Sequence, residues 1–446
     1  MNSDTLYSKL KEYVNKGYSS FHTPGHKCAD FFPDDLLSLD LTELPETDAL
    51  YEADGIILET EKKLAHLFSA KYSLISAGGC SLAIQAMLKL ASDCGKKILM
   101  ARNSHRTAIN AAALLGLEPV WLCPKSEGNL FTGRISPNDV EKALEANREI
   151  TACYITSPSY YGELCDIKKI ANICHRHNVL LLVDNAHGSH LAFMEKKLHP
   201  ILLGADMSAC SLHKTMPVLT GGAVLNINNE ALIPYAKRSM SLFGSTSPSY
   251  PIMASIDLCC EYMQNSDGIT QYRQLEERID KIKRLAENHG AVQPTGLCDP
   301  LRVSVNTSVF GITGTKQIEY FHRHMAEPEF CDGHNAVFIC TPFNSDTDLS
   351  RLENAIVELT SLSAKNYNIE SINFYSLPDK AMSLREAVLS HSETVRLSEA
   401  HSRIAADTAC PCPPGIPLIM PGEIINEEVV KQLRSCGFTE IQCIKE

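Results

Sequence analysis

The stretch VLLLVDNAHGSHLAFMEKKLHPILLGADMSACSLHK, residues 179–214, decides the fold. Its opening apolar run, Val179 to Val183, halts on a carboxylate, Asp184, with Gly188 close behind. A short apolar run that stops at a charge and a glycine reads as a strand buried in a parallel sheet. Asp184 then sits at the strand's carboxyl end, the edge at which open α/β sheets bind ligands. A second short run, Met207 to Leu212, ends on His213-Lys214 and a Thr-x-Pro break. Two neighbouring strands are expected to deliver an acid and an amine to one sheet edge.

Outward from this stretch, strand-like runs occur at Tyr72–Ser76, Lys97–Ala101, Glu118–Leu122, Thr151–Thr156 and Gly221–Leu225. Helical patterns fill most of the gaps, at Leu82–Leu88, Ala108–Leu115, Pro137–Ala146 and Ile167–His177, and another precedes them at Gly55–Ala70. Seven strands alternating with helices predict an α/β fold, doubly wound, with a mostly parallel sheet. Beyond it a long polar helix, Thr270 to His289, leads into different material. Arg302–Val305 and Ala336–Ile339 alternate as antiparallel strands do, and Asp348–Ser361 and Glu427–Leu433 read as helices, so a smaller α+β domain is expected there. The expected division is an N-terminal segment over 1–50, a large domain over 51–260 and a small one over 261–446. Residues 1–20 read as a short amphipathic helix ending at Gly17.

A chain of 446 residues exceeds one ordinary core and agrees with two domains. Its net charge of -12 argues against nucleic acid as a partner. Seventeen cysteines are scattered with no Cys-x-x-Cys pair, and the start MNSDTLYSKLKEY has no apolar core of a signal peptide. No segment has the length of a membrane span. The expectation is a cytosolic protein with reduced thiols, acting on a small molecule and using no metal.

Five strand ends carry polar residues: Gly79-Cys80-Ser81, His105, Ser157 to Tyr161, Asp184 with His187, and Ser211 with His213-Lys214. Two glycines and a serine opening a helix can cradle a phosphate, since free N–H groups and the helix dipole face the anion. An acid and an amine at the same edge suit pyridoxal phosphate, whose aldehyde forms a Schiff base with Lys and whose pyridine nitrogen is kept protonated by Asp. For that pair alone, a structural salt bridge is the plain alternative. A His105 ring stacked on the pyridine face would orient the cofactor, and Ser211, one short turn before Lys214, could reach its phosphate. In FHTPGHK, residues 21–27, Pro24-Gly25 rules out a helical pair of metal ligands from His22 and His26. A turn that points polar side chains at a site is expected instead. The acidic DLTELPETD, residues 40–48, reads as an exposed loop or as a segment across the site's mouth.

These residues resemble the fold-type I, pyridoxal-phosphate-dependent Orn/Lys/Arg decarboxylases, in particular the shorter members without an N-terminal wing domain. The resemblance rests on FHTPGHK (21–27), DLTELPETDAL (40–50), SAGGCSLAIQAM (76–87), RNSHRT (102–107), ITSPSYYGELCDI (155–167), LLVDNAHGSHLAF (181–193), SLHKT (211–215), STSPSY (245–250) and PCPPGIPLIMPGE (411–423). It implies decarboxylation of arginine, lysine or ornithine in a homodimer. Lys214 is implied to be the Schiff-base lysine, with His213 assisting proton transfer. Asp184 is implied to pair with the pyridinium nitrogen, Ala186 to pack under the ring and His105 to stack above it. Ser81, Ser211 and the backbone at Cys80 are implied to hold the phosphate, helped by Thr246 from the neighbouring subunit. His187 is counted with the cofactor-binding residues, and Glu423 as a contributor to the substrate pocket. Two residues depart from the family pattern: Cys80, where relatives often carry Ser or Thr, and Cys412, where many carry an aromatic. The alternatives are another reaction on the same fold, such as transamination with Arg302 or Arg396 clamping the substrate α-carboxylate, or β-elimination, and a non-catalytic module of the same fold.

Overall fold

Each apolar run becomes a strand because both of its faces find cover. The computed structural model describes residues 14–27, 36–125, 133–264, 266–288, 290–291, 293–362, 377–409 and 417–445. Residues 1–13 of the helix read over 1–20, and the position of Cys412, lie outside them, and the end of that stretch is extended instead, entering a strand at Ser19. After a short strand β1 (Ser19–Phe21), seven strands form the main sheet: β2 (Tyr72–Ser76), β3 (Lys97–Ala101), β4 (Glu118–Leu122), β5 (Ala152–Thr156), β6 (Leu180–Asp184), β7 (Met207–Cys210) and β8 (Ala223–Ile227). Their order is β2-β8-β7-β6-β5-β3-β4. Neighbours run parallel except at β8, which is antiparallel to both β2 and β7.

Successive side chains of a strand point to opposite faces, and the two layers of helices exploit this. Leu182 of β6 joins Met100, Tyr154 and Leu225 under the helices Gly79–Ser92 and Arg106–Leu115. Leu181 and Val183 join Leu99, Cys153 and Ile155 under the helices Pro137–Ala146 and Ile167–Arg176. That two-sided burial is why these strands read as continuous rather than alternating apolar runs.

The second half adds β9 (Arg302–Asn306), β10 (Ala326–Pro328), β11 (Phe330–Cys331), β12 (Asn335–Ile339), β13 (Ser392–Arg396) and β14 (Glu440–Ile444). β11, β12 and β9 make an antiparallel sheet, β13 pairs antiparallel with β14, and β1 lies parallel to β10. A long helix, Ser266–Asn288, runs between the main sheet and β9. One apolar core contains Phe21, Phe68, Tyr272, Val303 and Phe338, so it joins the N-terminal segment, the main sheet's flank, the long helix and the smaller sheet.

The acidic segment 40–48 has a local task. Asp48, at φ 66, turns its carboxylate to the backbone N–H groups of Ala49, Asp54, Gly55 and Ile57, at 2.8 to 3.2 Å, and thereby starts the helix Ile56–Phe68. Among the described residues no helix is long and apolar enough to cross a membrane.

Candidate active site

Strands β5, β6 and β7 end side by side, with Thr156 opposite Asp184 and Asp184 opposite Ala209. Asp184, the last residue of β6, accepts hydrogen bonds on both oxygens: from the Tyr154 hydroxyl at 3.1 Å and from the Ala186 backbone N–H at 3.1 Å. Burial, then the Asp184 charge, push the Tyr154 phenol well above its ordinary pKa, so it stays a donor.

After β7 the chain makes a single helical turn, Leu212–Thr215, which carries Lys214. Its Nζ lies 3.0 Å from His187 Nε2. Burial pulls the Lys214 pKa down, against the opposing pull of the Asp184 and Glu329 carboxylates. The FHTPGHK turn is docked on this segment. Gly25 N–H donates to the His213 carbonyl at 2.7 Å, and a Cβ on Gly25 would fall 2.7 Å from the Met216 carbonyl oxygen. Only glycine permits that approach.

Two helix N-termini face the same space. The helix Gly79–Ser92 begins at a glycine with φ +73, and the helix Arg106–Leu115 is capped by His105, whose Nδ1 accepts the Thr107 N–H at 3.2 Å. Thr107 Oγ1 lies 3.2 Å from Ser81 Oγ, tying the two ends together. Such a pair of helix starts favours an anion. Burial, then the Asp184 charge, raise the Cys80 thiol well above its usual range, so this departure from the family pattern places a neutral wall at the site.

These groups enclose a cavity of about 210 Å³. Nine of the residues expected at the cofactor line it: Cys80, Ser81 and His105, then Asp184, Ala186 and His187, then Ser211, His213 and Lys214. Two expected residues are elsewhere. Thr246 is exposed and lines no part of the cavity of its own chain. Glu423, expected at the substrate pocket, instead faces Arg102: Nη1 and Nη2 donate to its two oxygens at 2.7 and 2.6 Å, with both side chains buried. The same carboxylate accepts the Met420 N–H at 2.9 Å, so it is committed to holding the C-terminal segment against the end of β3.

The structure also brings in residues for which the sequence reading had no role. Asn103, Thr156 and Tyr160 line the cavity. Asn103 Oδ1 and Thr156 Oγ1 are buried with no hydrogen-bond partner among the described residues. An unpaired buried polar atom is costly, and two of them at one cavity fit a ligand that offers polar groups there. Glu329 accepts the Thr23 N–H at 2.8 Å and acts on the charges of both Lys214 and His213. Asn103 lies inside the RNSHRT motif, which marked the place without the role; nothing local marks Glu329.

A buried acid at the end of β6 and a lysine on the turn after the adjacent β7, with helix N-termini gathered for an anion, sit on a fold shared with solved pyridoxal-phosphate enzymes of fold type I. The profile described as Orn/Lys/Arg decarboxylase, major domain, matches residues 4–296, and that of the C-terminal domain matches residues 366–439. The chain belongs to the Orn/Lys/Arg decarboxylase family and is a basic amino-acid decarboxylase. It is 31% identical to an arginine decarboxylase of Halalkalibacterium halodurans, over 96% of this chain and 92% of that protein. It is 30% identical to the uncharacterized protein YaaO of Bacillus subtilis, over 96% and 93%. The solved structure of lysine decarboxylase A from Pseudomonas aeruginosa superposes with a TM-score of 0.78 at 19% identity, covering 98% of this chain and 80% of that one.

Proposed function

We propose that this enzyme removes CO₂ from arginine, lysine or ornithine, with pyridoxal phosphate held as a Schiff base on Lys214. The observation that carries this reading is the convergence on one cavity of Lys214, Asp184 and two helix N-termini. When bound, pyridoxal phosphate supplies the electron-accepting ring for the bond broken at the substrate α-carbon.

Everything else is work for the protein's own groups. Ser81, Ser211 and the backbone at Cys80 would take the phosphate at the helix starts. Asp184, already fixed through both oxygens, would pair with the ring nitrogen, with Ala186 beneath the ring and His105 above it. His213 Nδ1 lies 3.1 Å from the Gly222 carbonyl, which can only accept, so Nδ1 carries the hydrogen and Nε2 the lone pair. Burial lowers the His213 pKa, which keeps that lone pair available. His213 or Lys214 can then hold a proton and return it to the α-carbon. The Glu329 carboxylate, held by the Thr23 N–H, would act on the charges of Lys214 and His213.

Transamination draws no support from its candidate clamps. The Arg302 guanidinium is turned onto the Tyr160 carbonyl, His187 and Asp299, and Arg396 is exposed on β13. In a homodimer, Thr246, which is exposed and outside its own chain's cavity, would complete the phosphate site of a second copy. Free cysteines throughout the described residues accord with the cytoplasm. Residues 51–260 would then be the cofactor-bearing unit and 261–446 the part that covers it.

The test is CO₂ release by purified protein with added pyridoxal phosphate, offered L-arginine, L-lysine and L-ornithine separately, beside a Lys214→Ala control. Turnover of one substrate that vanishes in the control is expected. No CO₂ from any of the three would overturn the substrate class.

A further inference from the structure

We infer that Arg302 is a positioning residue: it dictates which nitrogen of His187 carries the proton and so keeps the Lys214 amine unprotonated and nucleophilic. The inference rests on reading Lys214 as the amine that takes the cofactor, but its geometry stands without the cofactor.

Arg302 begins β9 and is buried, and its guanidinium reaches from the smaller sheet to the main one. Nη1 donates to the Tyr160 carbonyl at 3.0 Å. Nη1 and Nη2 lie 3.5 and 3.4 Å from His187 Nδ1, and Nη2 is also 3.5 Å from the His187 carbonyl. Asp299, 3.7 Å from Nη2, balances the charge and is itself held by His190 at 2.8 Å. The chain leaves room for this arginine: a Cβ on Gly162, at φ +90, would fall 2.8 Å from Arg302 Cβ and Cγ.

A guanidinium has donors only, so His187 Nδ1 must be the acceptor. In the neutral ring the hydrogen is then on Nε2. That nitrogen faces Lys214 Nζ at 3.0 Å, and its N–H needs a lone pair opposite. An unprotonated amine has one; an ammonium does not. The imidazolium form of His187 is disfavoured first by burial and also by the Arg302 charge beside it. The ring is also braced in place by Tyr160, with centroids 4.6 Å apart. Burial is the largest influence on Lys214 and disfavours ammonium, while two carboxylates, Asp184 and Glu329, pull the other way. Arg302 is their counterweight, both through its charge and through the proton position it imposes on His187.

The experiment uses the full-length chain stripped of cofactor. An amine-directed acylating reagent labels Lys214, and the labelling rate is followed against pH by mass spectrometry of the Lys214 peptide. Arg302→Met should move the labelling midpoint upward by about one pH unit or more, while Arg302→Lys, which keeps a charge and a donor, should shift it much less. An unchanged midpoint in folded Arg302→Met overturns the inference. Should Arg302→Met not fold, nitrogen NMR of the histidine-labelled wild-type chain decides, with His187 assigned by His187→Gln. Nδ1 is expected bare and Nε2 protonated; the reverse overturns the inference. Both readouts are independent of turnover, so failure of the CO₂ assay leaves this inference standing or falling on its own data.

Discussion

Glu423→Gln should destabilise the protein without acting on substrate binding. The Arg102–Glu423 pair has side-chain exposures of 0% and 5%, and both guanidinium contacts are charge-assisted at 2.7 and 2.6 Å. Neutralising one partner leaves a buried guanidinium without its counter-charge, a loss of about 3–5 kcal/mol. Unfolding entropy of about 2.1 cal/mol/K per residue gives this chain about 0.9 kcal/mol per degree, so Tm should fall by about 3–5 °C if the chain unfolds as one unit. Replacing both partners by apolar residues, Arg102→Met with Glu423→Leu, removes both charges and should recover most of the loss. Calorimetry of the two variants checks this, with substrate KM measured in parallel. A Tm unchanged in Glu423→Gln together with a raised KM would return Glu423 to the substrate pocket. A double variant no more stable than the single one would refute the buried-charge argument.

Gly25→Ala would press a Cβ to within 2.7–2.9 Å of the backbone at Thr215 and Met216, so it should displace the Lys214 turn. Reduced retention of pyridoxal phosphate on gel filtration is expected, and full retention would show that the turn can yield. Asp299 concerns acid stability. Burial raises its pKa, but His190, Arg302 and Lys283 outweigh that and bring it to about 2, from 3.8. A carboxylate depressed in the folded state stabilises above its unfolded pKa, so about 2 kcal/mol should be lost as pH falls from about 4 to about 2. Asp299→Asn should be less stable near neutrality and lack that acid limb, as urea midpoints across this range would show. Thr246→Ala should weaken cofactor retention although Thr246 lies outside its own chain's cavity; unchanged affinity for pyridoxal phosphate would remove the shared site.

What could be read from the sequence was whatever short-range periodicity controls. Leu180–Asp184 and Met207–Cys210 are strands because short, mostly apolar runs are covered on both faces, and beyond the carboxyl end of such strands is where Asp184 and Lys214 emerge. The same logic located Ser81, His105 and Ser211, each at the first residues after a strand. The polar pairs that tune the site obey no such rule. Arg102 and Glu423 are separated by 321 residues, Thr23 and Glu329 by 306, and His187 and Arg302 by 115. A charged residue in a sequence is equally at home on a solvated face, and only the fold decides that its partner is buried opposite. The motif around Glu423 suggests a substrate pocket, and nothing in it marks the pairing with Arg102 beyond the end of β3. Arg302 reads as a carboxylate clamp because transaminases place such an arginine in the smaller domain, yet its donors meet the Tyr160 carbonyl, His187 and Asp299. The chemistry-bearing atoms therefore follow from strand ends, while the protonation states that let them react follow from contacts between the two halves of the chain.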